Sequence, residues 1–148
     1  MRIVIGSDHA GLVLKDHLAA RLRDQGHEVE DVGTNTSASC DYPDLANALG
    51  RVLTSGGVER GILVCGTGQG MAMTANRIPG VRAAVVADTF SARATRAHND
   101  ANVLCLGQRV VGSGLAEDIV DAFLTTPFEG GRHAGRVEKM MAKDGGKA

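Results

Sequence analysis

Five short apolar runs punctuate the chain, and between them apolar residues recur at helical spacing. Ile3-Val4-Ile5 closes on Gly6, Ile62-Leu63-Val64 on Cys65, and Val103-Leu104-Cys105-Leu106 on Gly107. Unbroken runs of this kind are how strands buried on both faces read. Ala83-Ala84-Val85-Val86 is a fourth strand, ending at Asp88. Val29 and Val32 sit among His27, Glu28, Glu30 and Asp31, so that strand is expected at a sheet edge.

The intervening segments read as helices. Ser7 or Asp8 can cap one whose stripe is Leu14, Leu18 and Leu22, stopped by Gly26. After a polar connection from Gly33 to Asp41, Pro43 suits the first turn of a second, with Leu45, Leu49, Val52 and Leu53. A third runs from about Gly70 to Arg77, and a fourth over 89–99. Ser113 can cap a fifth with stripe Leu115, Ile119 and Phe123. A last one carries Arg132, His133, Arg136, Val137, Met140 and Met141, and the end from Asp144 on is expected to fray. Strand and helix alternate with short connections, which predicts an α/β fold: a five-stranded parallel sheet with helices on both faces. Ligands then sit at the carboxyl ends of the strands, after Gly6, Cys65 and Leu106.

Composition narrows the function. The 148 residues suit one domain, 1–148, and a net charge of −1 provides no field for nucleic acid or an anionic membrane. One Tyr, three Phe and no Trp are too few for a base-stacking surface. No stretch reads as a signal peptide or a membrane span. Cys40, Cys65 and Cys105 lack C-x-x-C spacing, which indicates neither a disulfide framework nor a zinc site; a cytoplasmic protein with free thiols is expected.

The candidate chemistry centres on Cys65-Gly66-Thr67-Gly68-Gln69-Gly70. A thiol at a strand end, beside free N–H groups and a helix N-terminus, is expected to carry thiolate character. The same N–H groups can hold an oxyanion. Acyl transfer with a Cys nucleophile and proton abstraction beside a carbonyl both fit. So does nucleotide binding: the loop nearly matches G-x-G-x-x-G/A, failing at Met71, and Asp88 stands where a ribose-binding acid belongs. Gly6-Ser7-Asp8-His9-Ala10-Gly11 is no P-loop, because Leu12-Val13 replace Lys-Ser/Thr. Asp8-His9 and His98-Asn99 are polar pairs at element ends, open to helix capping or proton transfer. Arg132 and Arg136, at i and i+4 and joined by Arg109, suit a small phosphate ester.

Taken in order, these motifs, with Asp41-Tyr42-Pro43, Ala75-Asn76, Asp100-Ala101-Asn102-Val103, Gly107-Gln108-Arg109-Val110 and Gly130-Gly131-Arg132-His133, resemble the type B ribose-5-phosphate isomerases, a family that also holds galactose-6-phosphate isomerase subunits. The resemblance covers nearly the whole chain. It implies a Rossmann-like three-layer α/β/α sandwich. It also implies a homodimer, sometimes paired into a tetramer, with active sites across the subunit interface and no metal or cofactor. Carried over by motif, Cys65 would be the base moving the proton between C1 and C2. Gly66, Thr67, Gly68, Gln69 and Gly70 would hold the enediolate and hydroxyls. His98 would assist ring opening with Asp8 as a polar partner. His9, Arg109, Arg132 and Arg136 would bind phosphate, and Tyr42 and Asn99 would line the pocket. One branch of the family replaces the Cys by a Glu just beyond the loop; here that position is Met71, which implies the cysteine branch. Relatives act on allose 6-phosphate, galactose 6-phosphate or four-carbon ketose phosphates, so the sugar stays open.

Overall fold

The computed structural model describes residues 1–142; the end from Asp144, expected to fray, lies outside them. The strands are β1 (Arg2–Ser7), β2 (Glu28–Asp31), β3 (Arg60–Cys65), β4 (Ala83–Val85) and β5 (Val103–Gly107). The helices are α1 (Leu12–Asp24), α2 (Tyr42–Thr54), α3 (Gln69–Ala75), α4 (Thr89–Asn99), α5 (Ser113–Thr125) and α6 (Arg132–Met141). All strand pairs are parallel, in the order β2-β1-β3-β5-β4. The three runs predicted to lead to a site are thus the three central neighbours.

Strand alternation splits the core in two. Ile3, Ile5, Ile62, Val64, Leu104 and Leu106 face one way and pack with Leu14, Leu18 and Leu22 of α1 and Ile119 and Phe123 of α5. Val4, Leu63, Cys65, Val103 and Cys105 face the other way, with Leu49 and Leu53 of α2 and Met71 of α3. These are the predicted three layers. The order in which strands are added reverses between β1 and β3, so their carboxyl ends flank a crevice.

Local details differ from the sequence reading. Asp8 caps a short 3-10 turn (His9–Gly11) rather than α1, whose cap residue is Gly11. Gly112, not Ser113, precedes α5, and Leu115 is 41% exposed, because the buried stripe runs through Ala116, Ile119, Val120 and Phe123. β4 stops before Val86, although that residue is buried. β2 is the polar edge expected. At the other edge, the Asn76 side chain accepts from the Ala83 amide (2.7 Å) and donates to its carbonyl (2.8 Å), occupying both groups a further strand would need. Among the described residues no helix is long and apolar enough to cross a membrane.

Candidate active site

Cys65 is the last residue of β3 and is 6% exposed. Gly68 follows in the left-handed region (φ 81°), where a side chain costs about 1–2 kcal/mol, and this turns its amide back to donate to Cys65 Sγ at 3.0 Å. The loop lies on β5 so closely that a Cβ on Gly107 would stand 2.8 Å from the Thr67 backbone. Thr67 and Gln69 are exposed, and Thr67 Oγ1 accepts from the Gln69 amide at 3.4 Å. Tyr42, the first residue of α2, lays its ring over Gly70, where a Cβ would meet it at 2.7 Å.

The neighbouring strand exits complete this group. Asp8 Oδ1 accepts from Ala10 and Gly11 amides at 3.0 and 3.1 Å, and Oδ2 has no hydrogen bond among the described residues. His9 Nδ1 accepts from the Cys40 amide at 3.2 Å, so a neutral His9 carries its proton on Nε2. Cys40 therefore contributes its backbone here. The Arg109 guanidinium packs at 3.5 Å from where a Gly66 Cβ would be. By contrast Cys105, on the same sheet face as Cys65, is sealed in, and burial, with Cys65 beside it, pushes its thiol far up.

The remaining predicted residues are elsewhere. His98 and Asn99 end α4, which descends from the carboxyl edge of the sheet to the amino edge. They line a cavity of about 270 Å³ with His133, Arg136, Val137 and Met140. Gly107, paired with Cys65, is four residues along β5 from Val103, ~13 Å at the usual strand rise. His98 comes before Val103 in the chain, below that edge. Arg132 shares α6 with Arg136 but does not line the cavity. The residues expected to form one site thus fall into two groups at opposite ends of the sheet. A larger hollow of about 620 Å³, between the β4 edge and the end of α6, contains Asn99 alone of them.

Residues 3–140 match the Ribose/Galactose Isomerase family. The chain belongs to that family. It is 47% identical over 141 residues to the ribose-5-phosphate isomerase B of Escherichia coli K12, covering 95% of each chain. Ribose-5-phosphate isomerase B of Clostridium thermocellum has a solved structure that superposes with a TM-score of 0.94 at 51% identity, again over 95% of each. The D-erythrulose-4-phosphate isomerase of Pectobacterium atrosepticum is 43% identical, over 95% of this chain and 93% of its own. Members of this family with such names are aldose–ketose isomerases, and this chain is one.

Membership in the isomerase family agrees with the fate of Asp88, the proposed ribose ligand of the nucleotide reading. Both its oxygens are taken by Ser91, whose amide and hydroxyl donate at 2.7 Å; these bonds hold the carboxyl below its usual range as the cap of α4. Three participants were missed. The Gln108 side-chain oxygen accepts from the Leu14 amide (2.8 Å) while its backbone N–H donates to the Cys65 carbonyl (2.9 Å), tying α1 and the end of β3 to the exit of β5. His133 and Glu129 both stand against His98. The His98 and His133 rings stack 4.5 Å apart at 13°, and Glu129 Oε2 lies 3.9 and 3.7 Å from their Nε2 atoms. These donor atoms lie within 4.8 Å of one another, yet they do not form a metal cage as arranged. An imidazole lone pair lies in its ring plane, and two stacked planes cannot both aim at one ion.

Proposed function

We propose that the protein interconverts ribose 5-phosphate and ribulose 5-phosphate through an enediolate, without metal or cofactor, in sites each shared by two copies of the chain. The observation that carries this reading is the pairing of Cys65 Sγ with the Gly68 amide inside a glycine cradle at the sheet's reversal point. His98 gives a proton to the ring oxygen as the C1–O4 bond breaks, and the O1 hydroxyl gives its proton to Asp8. Cys65 then takes the C2 proton of the open aldose; the electron pair forms the C1–C2 double bond, and the amides from Gly66 to Gly70 receive the charge on oxygen. The O2 hydroxyl proton passes to O1 as C2 becomes the carbonyl, and the proton held by Cys65, returned to C1, completes the ketose. His9, Arg109, Arg132 and Arg136 hold the phosphate, and Tyr42 and Asn99 wall the sugar.

A homodimer follows from the two separated groups: the Cys65 group of one copy needs the His98–Arg136 group of another. A two-fold axis supplies both exchanges at once. Support comes from Val13, Tyr42, Phe90 and Leu115, exposed apolar side chains in the first turns of α1, α2, α4 and α5, and from Val110 beside them after β5. They form an apolar rim around the thiol end, of the kind a partner covers. Another phosphosugar is the second reading, because one relative of similar identity carries a four-carbon substrate in its name. Comparing kcat/KM over four-, five- and six-carbon aldose and ketose phosphates separates the two; preference for anything but the five-carbon pair defeats the first.

A further inference from the structure

His98 is half-exposed at a helix end, where a free imidazole would sample several rotamers. Its neighbours deny it that freedom. His133, only 8% exposed, offers its ring face to the His98 ring. The Glu129 amide donates to the Ala97 carbonyl at 3.0 Å and the His133 amide to the Gly130 carbonyl at 2.9 Å. The 129–133 stretch is thus sewn to the end of α4 immediately beside His98. The Glu129 carboxylate faces both Nε2 atoms at 3.9 and 3.7 Å, close enough for attraction and too far for a hydrogen bond. It acts through its charge on the edge that faces it, and it is not a proton relay.

We propose that His133 and Glu129 are positioning residues for His98: the buried His133 ring sets the plane of the His98 imidazole, and the Glu129 carboxylate sets which edge it presents to the cavity. This rests on the reading that His98 opens the furanose ring. A donor that must place N–H within hydrogen-bond reach of one oxygen is sensitive to displacement; ~1 Å is worth up to about 100-fold in rate. Glu129 does not line the cavity, and His133 is only 8% exposed at its wall, so their loss should weaken ring opening and spare the thiol's chemistry.

Those two steps can be measured apart. Ribulose 5-phosphate is open-chain, because O5 carries the phosphate; exchange of its C1 proton with D2O, followed by proton NMR, reads proton abstraction without ring opening. Turnover of ribose 5-phosphate reads both. His98→Gln should lose about 100-fold in turnover and keep its exchange rate within a few-fold. Glu129→Gln and His133→Leu should lose about 10-fold in turnover with exchange unchanged, and His133→Phe, which restores a flat ring, should recover most of that loss. Wild-type turnover in Glu129→Gln and His133→Leu, beside a selectively impaired His98→Gln, overturns the positioning role alone. Equal loss of exchange and turnover in them, or no recovery in His133→Phe, marks general damage and overturns it too. If His98→Gln slows both readouts equally, or neither, the ring-opening role itself falls and the positioning role with it.

Discussion

At Cys65 the deciding contact comes from backbone. A thiol at the end of a buried strand is ordinarily a small hydrophobe, and Cys105, two residues before the partner of Cys65 on β5, is that case. Cys65 differs in having an amide N–H aimed at its sulfur and open loop on its far side. Cys65→Ser keeps shape and hydrogen bond and loses the acidity, so kcat for proton exchange should drop about 10²–10⁴-fold while phosphosugar binding, read by calorimetry, changes little. Near-normal exchange would remove Cys65 as the base. His133 yields a different residue-scale test. Burial first, then His98 and Arg132, with Arg136 also contributing, push its imidazole below the ordinary His value; Glu129 opposes them. The unfolded chain therefore binds the proton more readily, and stability should fall as pH drops below about 6.5 towards the lowered folded value, with no contribution above that window. Melting temperatures from pH 7.5 to 5 should show a slope that flattens in His133→Asn; an unchanged slope would assign the acid sensitivity to other groups.

Elements were legible where burial leaves a simple pattern. β1, β3 and β5 lie at the centre of the sheet with both faces covered, so their sequences are uninterrupted apolar runs. The buried stripe of α5 was partly legible: Ile119 and Phe123 are buried as their spacing implies, whereas packing buries Ala116 and Val120 and leaves Leu115 exposed. The closeness of the glycine loop to β5 was not legible at all, because Thr67 and Gly107 meet across forty residues of chain. That contact is testable: Gly107→Ala puts a methyl 2.8 Å from the Thr67 backbone, so the loop must shift. We expect kcat to fall by ~10-fold or more while KM, set largely by the phosphate, moves less. Unaltered kinetics would mean the cradle is more tolerant than its packing implies.

For the whole molecule, the division of the site is the consequential feature. Cys65→Ser and His98→Gln should each retain about 1% or less of the activity on ribose 5-phosphate. Mixed after mild dissociation, they should regain about a quarter of wild-type activity: about half the dimers are hybrids, and one of each hybrid's two sites draws Cys65 and His98 from the unmutated positions. A site contained within one chain regains nothing, since each copy then keeps its own defect. Size-exclusion chromatography at the assay concentration reports whether the second copy is present.

Sequence alone determined the α/β order, the three central strands, the thiol in its glycine loop and the family, because each is written in residues close together along the chain. The tertiary structure decided which of those residues stand together. His98 and Asp8 appear in the sequence as two like pairs at element ends, yet a βα unit puts strand exits at one edge of the sheet and helix exits at the other. That geometry parts His98 and Arg136 from Cys65. It also brings His133 and Glu129, more than thirty residues downstream, against His98. Spacing along a chain reports neighbours within one element, and contacts between elements exist only once helices pack.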